Sequence, residues 1–232
     1  MLKFGFLLAV IVLLLRPQEF MPGMAALPVL QIVIALPLVA WLAGGGKRLD
    51  IPPIRWLIGF FVFGMIGLGV NGWWGGGIDM LNRMLPSVAF FLLAFAATRN
   101  VAALKRFLWV IGLCSIVLVY HGWQQRTYGV GFTGEVAIQE IRIRYIGILN
   151  DPNDLGLLFN MGIVGSGYLF WASEKRVVKA VATTIIAILL YGIYLTDSRG
   201  SMLATLTAAG YVVYRVRGAT TVIVMLALGL PI

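Results

Sequence analysis

The chain is poor in thiol, imidazole and acid: one cysteine, one histidine and nine aspartates and glutamates in 232 residues. The lone Cys114 lies inside an apolar run, which excludes an intramolecular disulfide framework and a Cys-cluster zinc site. Charged residues make up 12%, against roughly a quarter in a soluble domain. Hydrophobic residues reach 60% and mean hydropathy is +0.94, so the composition is that of an integral membrane protein. The apolar stretches lack the polar–apolar alternation of barrel strands and therefore read as helices, which satisfy their own backbone in lipid. The first apolar run resembles a signal peptide but is not expected to be a cleavable one. Arg16-Pro17-Gln18-Glu19-Phe20 offers no small-residue cleavage site, so Met1 to Leu15 reads as a retained first span. Gly44-Gly45-Gly46 and Gly75-Gly76-Gly77 lack the Lys-Ser/Thr ending of a nucleotide loop and read as flexible turns. No cofactor is implied, and Asp151 with Asp154 in a capping motif is a poor metal site, so no metal is expected.

Apolar runs occur at 2–15, 22–43, 54–72, 80–97, 107–120, 155–172, 177–195, 201–214 and 219–232. They predict an all-α, polytopic transmembrane helical bundle of about nine spans in one domain, 1–232. Several runs are shorter than the ~20 residues that cross ~30 Å of hydrocarbon and must borrow flanking residues or be buried among neighbours. The last run reaches Pro231-Ile232 without a polar exit, the ending expected of a piece cut from a longer protein. With the N-terminus in the cytoplasm, twelve basic residues fall inside: Lys3, Lys47, Arg48, Arg55, Arg99, Lys105, Arg106, Lys175, Arg176, Lys179, Arg215 and Arg217. Six fall outside, so the bias supports a cytoplasmic N-terminus. The net charge of +9 is thereby a topology signal, and no nucleic-acid partner is implied.

All five lysines are on the inner side, and the outer basic residues are arginines: Arg16, Arg83, Arg126, Arg142, Arg144 and Arg199. A guanidinium grips phosphate oxygens bidentately and keeps its charge. Pairing with the outer acids, or snorkelling to headgroups, is the plainer use of any one of them. The external loop segment, 121–153, alternates polar and apolar residues from Glu140 to Ile146, which predicts a short strand or extended piece with Arg142 and Arg144 on one face. It leads into Asp151-Pro152-Asn153-Asp154, where Asn150 or Asp151 caps the next helix and Pro152 opens it. In Thr196-Asp197-Ser198-Arg199-Gly200, Asp197 or Ser198 caps another helix, whose N-terminus attracts anions. Both strings fall on the outer side, so they are expected to converge. Trp73, Trp74 and Trp123 fall at the outer boundary as an aromatic belt, with sugar stacking as the alternative.

The Arg144 to Gly156 stretch, with Asp-Pro-Asn-Asp-Leu-Gly opening a helix and Thr196-Asp197-Ser198-Arg199-Gly200 opening another about 40 residues later, resembles the O-antigen ligase and polymerase superfamily of bacterial envelope enzymes. Arg16-Pro17-Gln18-Glu19 after the first span is similar to the start of several members. The resemblance covers most of this chain but only the N-terminal part of a full-length member. It implies a glycosyltransferase of the bacterial inner membrane that acts at the periplasmic face. The donor it implies is a glycan on undecaprenyl pyrophosphate, and the acceptor is lipid A–core or another carrier-linked glycan. Pyrophosphate binding then falls to Arg144 and Arg199, with Arg142 as the substitute if the register is off by two, and Arg16 or Arg83 assisting. Asp151, Asn153, Asp154, Asp197 and Ser198 shape the site.

The family places a functional histidine in a large periplasmic loop later in the chain, and nothing here matches that loop. The family's role is therefore not carried to His121, which reads as an interfacial or packing residue, and the catalytic residue is unassigned. Two other classes compete: a transporter or flippase for an anionic lipid or solute, and a non-catalytic subunit of a glycan assembly complex. The first calls for ionisable residues buried mid-span, paired broken helices or related halves, whereas the sequence has no internal repeat and most of its charges sit at helix ends.

Overall fold

The computed structural model describes residues 2–24, 27–44, 52–139 and 141–221. The expectations placed on Gly45, Gly46, Lys47, Arg48 and Glu140, and on the end of the run 219–232, lie outside the described residues. Among the described residues the architecture is all-α: α1 Leu2–Leu15, α2 Pro17–Phe20, α3 Val29–Ala43, α4 Pro52–Val70, α5 Gly76–Ala97, α6 Val101–Tyr128, α7 Pro152–Trp171, α8 Arg176–Thr196 and α9 Arg199–Arg217. Among the described residues four helices are long and apolar enough to cross a membrane: Pro53–Val70, Gly76–Ala97, Val101–Tyr128 and Arg176–Thr196. The helices α1 and α3 are apolar but shorter, 14 and 15 residues.

Two compact units divide the chain. The first holds residues 1–12 and 27–104. Within it α5 packs on α3 and α4, and α1 approaches α3 closely because Gly5 leaves room for the Pro37 ring. Gly76 and Gly77, read from sequence as part of a flexible turn, are instead buried in the first turn of α5. A Cβ at Gly76 would meet the Trp73 indole and one at Gly77 the Met65 thioether, so contact with neighbouring side chains selects glycine there. Trp73 and Trp74 are exposed.

The second unit holds residues 13–26 and 105–232. Its centre is α7, which packs along α8 and also against α9. Small residues set the spacing. A side chain at Gly192 of α8 would meet Val119 and Phe159, one at Gly162 would meet Leu189, and one at Gly165 would meet Leu108. Lipid tails are as apolar as leucine, so helices in a membrane gain from this kind of close van der Waals approach rather than from burial alone.

The helix α6 continues to Tyr128, so residues 121–128, read as the start of the external loop, are its last two turns. The cause is visible four residues apart on one face. His121 and Gln125 are both buried and both bond to the loop that follows, and that pairing requires helical spacing. The remaining loop, 129–149, makes two isolated antiparallel bridges, Val130 with Val136 and Ile138 with Arg142, and ends in a short 3-10 turn at Gly147–Leu149.

Replacing Gly192 with leucine should destabilise the second unit by about 1–3 kcal/mol through overpacking. The same change at Gly167, which has open space around its Cβ position, should be neutral. Thermal unfolding of the purified chain in detergent compares the two, and equal melting temperatures would contradict the close approach of α6, α7 and α8.

Candidate functional site

The site is built where the C-terminal end of α8 and the N-terminal ends of α7 and α9 come together. Asp151 caps α7, its side chain accepting from the Asn153 N–H at 2.7 Å, and Pro152 takes the first helical position, where its missing N–H costs nothing. The helix α8 stops because Asp197 turns left-handed, φ 47°. Ser198 then caps α9, accepting from the Ser201 N–H at 3.2 Å. Two residues thus reverse the chain between α8 and α9, and Ser198 is fully buried at the turn.

The two polar strings meet at one oxygen. Ser198 Oγ donates to Asn153 Oδ1 at 2.7 Å, and Arg142 Nη2 donates to the same oxygen at 3.4 Å. The Arg142 Nε–H also donates to the Thr196 carbonyl at 3.3 Å, an acceptor left open at the C-terminal end of α8. Among the described residues no carboxylate pairs with Arg142. Arg199, in the first turn of α9, is exposed and likewise has no carboxylate partner among the described residues. One end of the bundle therefore presents an arginine fixed on neutral oxygens, a second arginine next to Ser198 in sequence, and the N-terminus of α9.

Arg142 is held there by its own segment. From Arg142 to Tyr145 the chain alternates half-buried arginines with fully buried Ile143 and Tyr145, so Arg142 and Arg144 share a face as the alternation predicts. Exposed Ile141 falls outside the pattern. The Ile143 N–H donates to the Leu195 carbonyl at 3.3 Å and the Arg144 N–H to Gln125 Oε1 at 3.0 Å, which docks the extended piece on α8 and α6. The two arginines then diverge in partner. Arg144 pairs with Glu135 at 2.9 Å and donates to the Val136 carbonyl, which ties it to the loop, whereas Arg142 reaches Asn153 and Thr196.

Beneath the extended piece the loop is fastened at two points. His121 Nε2 lies 2.7 Å from Thr133 Oγ1, and its ring is edge-on to Phe132 and Tyr145. The Tyr145 hydroxyl donates to the Leu15 carbonyl at 2.6 Å. Burial, followed by the nearby Glu19 carboxylate, raises the Tyr145 pKa well above its ordinary value, so the phenol stays neutral and keeps donating. Arg16, left-handed at φ 47°, pairs with Glu19 at 2.8 Å and lays its guanidinium where a Gly147 Cβ would be. Arg16 thus braces the loop rather than joining Arg142. Arg83 is exposed and belongs to the other unit. Asp151, Asp154 and Asp197 are exposed at this end. Among the described residues no cluster of three or more His, Cys, Asp or Glu side chains is placed to hold a metal.

Sequence reasoning missed the support beneath the site. Asn160 is buried about two turns along α7 from Asn153, donates to the Gly156 and Ser201 carbonyls, and accepts from Thr205 Oγ1 at 2.8 Å. Gly156 has no room for a side chain because Ser201 Oγ occupies it. An amide in an otherwise apolar run was the available signal, since a polar group in a span is costly unless paired. Gln125 carries the same signal for the loop. No protein-family model, characterised protein or solved structure matches the chain.

The shared oxygen of Asn153 makes the two strings energetically dependent. Asn153→Ala and Ser198→Ala should each cost about 1–2 kcal/mol. Together they should cost less than the sum by at least about 0.5 kcal/mol, the mark of a direct contact. Strict additivity in a double-mutant cycle of unfolding free energies would rule out the bond.

Proposed function

We propose that this chain is a multi-pass protein of the bacterial inner membrane that transfers a glycan from undecaprenyl pyrophosphate to an acceptor sugar at the periplasmic face, as an O-antigen ligase or polymerase does. The observation that carries the reading is the junction of Arg142, Asn153 and Ser198, which gathers both polar strings of the resemblance at one end of the bundle. In the reaction the acceptor hydroxyl oxygen bonds to the anomeric carbon, the bond from that carbon to the pyrophosphate oxygen breaks, and its electron pair leaves with the pyrophosphate. The hydroxyl proton passes to a general base. Negative charge builds on the leaving group, and fixed donors aimed at it lower the barrier. Arg142 is suited to that task because its other N–H groups are already committed to Asn153 and Thr196, so it does not reorganise. Arg199 and the N-terminus of α9 add a second charge and a dipole. Arg144 acts on the loop through Glu135, and the acceptor is lipid A–core or a carrier-linked glycan.

About nine spans with a cytoplasmic N-terminus put this end of α7, α8 and α9 at the periplasmic surface. In a Cys114→Ser background, Val136→Cys should react with a membrane-impermeant maleimide added to spheroplasts, and Glu174→Cys only after permeabilisation. The opposite pattern reverses the topology.

Arg142→Ala and Arg199→Ala should each lower glycan transfer by about 100-fold with normal membrane insertion. Arg142→Lys should recover little, because a point charge cannot hold two oxygens in a plane. Transfer from purified lipid-linked donor, measured in liposomes, decides. Unchanged transfer in both alanine variants would remove the site assignment. Donor translocation without transfer would favour the flippase reading.

A further inference from the structure

The two ends of the Asn153 amide are told apart by their neighbours. Arg142 carries only donors, so the atom that its Nη2 meets at 3.4 Å is the amide oxygen. Ser198 gives the same answer independently. Its Oγ accepts from the Ser201 N–H at 3.2 Å and from the Ser201 hydroxyl at 3.0 Å. Both lone pairs are then occupied, and its own proton goes to Asn153 Oδ1 at 2.7 Å. The oxygen is thereby turned toward the cap of α9, and the plane of the amide is set with it.

The nitrogen forms the other limb of that plane. Asn153 is exposed, and among the described residues nothing accepts from its Nδ2. Because Arg142 rests on the oxygen of the same amide, the two free N–H bonds and the guanidinium lie close together. The chemistry of the residue is also informative. Aspartate at 153 would accept from Ser198 and Arg142 at least as strongly, since a charge-assisted bond is the stronger one. It would also cancel the charge of Arg142, at an end where Asp151, Asp154 and Asp197 are already exposed. Asparagine completes the junction and leaves the guanidinium charge for another acceptor.

We infer that Asn153 contacts the ligand directly, its Nδ2 donating to the oxyanion that Arg142 and Arg199 attract. The inference rests on the proposed pyrophosphate site and adds to it an uncharged donor held in place by its own oxygen. Asn153 then has two separable tasks. Oδ1 joins α7, α9 and the loop, and Nδ2 binds. A fixed donor of this kind does not reorganise when the anion arrives.

The test uses the full chain in phosphatidylcholine nanodiscs, with inorganic pyrophosphate as the probe, affinity from calorimetry and stability from thermal unfolding. Asn153→Asp keeps the acceptor for Ser198 and Arg142, so its melting temperature should equal or exceed that of the parent. It should nevertheless weaken pyrophosphate binding by at least about tenfold, because a donor becomes a charge of the ligand's own sign. Ser198→Ala and Asn153→Ala break the same bond between helices, but only Asn153→Ala removes Nδ2. Asn153→Ala should therefore weaken binding about tenfold more than Ser198→Ala does, the effect of one hydrogen bond to a charged group. Asn153→Asp keeps the support of Arg142 and Asn153→Ala keeps its charge, so losses in both leave the amide N–H groups as the common cause. Equal affinity in Ser198→Ala and Asn153→Ala, or parental affinity in Asn153→Asp, would overturn the role of Nδ2 while leaving the arginine site in place. Binding that survives both Arg142→Ala and Arg199→Ala would overturn the arginine site, and this inference with it.

Discussion

The candidate site depends on a single amide oxygen. Asn153 Oδ1 accepts from the Ser198 hydroxyl and from Arg142, and so joins the cap of α9 to the start of α7 and to the loop. In a chain with so little charge, polar groups at a helix end have few partners to choose from. Each must be satisfied by another end of the bundle or by water. The reversal between α8 and α9 brings Ser198 to the oxygen, the Asp151 cap orients Asn153, and the docking of Ile143 on Leu195 brings Arg142. Removing any of these leaves a donor or acceptor at the boundary without its partner.

A second layer makes this arrangement stiff. Asn160, Ser201 and Thr205 bond beneath the junction, where Gly156 lets the two helices approach. A buried polar cluster that is fully satisfied fixes one register between helices, since sliding either by a turn would strand its groups.

Much of this was legible in the sequence because it rests on local chemistry. Hydropathy located the apolar helices, Asp151 and Pro152 marked the opening of α7, and the alternation around Ile143 and Tyr145 set which side chains turn inward. What was not legible depends on distant partners. The helix α6 runs on to Tyr128 because His121 and Gln125 find hydrogen-bond partners in a loop that lies ahead of them in the chain. The difference between Arg142 and Arg144 lies in which neighbours reach them, Asn153 or Glu135, and no local pattern encodes that. Gly76 and Gly77 read as a turn until the Trp73 and Met65 side chains beside them are known.

The bond from Tyr145 to the Leu15 carbonyl spans 130 positions of sequence. At a synthesis rate of about 5–20 residues per second, the first span waits many seconds at the ribosome exit before its partner emerges. During that interval the Leu15 carbonyl has no internal donor, and Arg16 has no Gly147 to lie against. Interfacial water or a lipid headgroup must serve in their place, to be displaced when the loop arrives. The N-terminal turn is therefore the first part of the second unit to be made but can be secured only after Tyr145 and Gly147 have emerged, and a chain released before them would lack both partners.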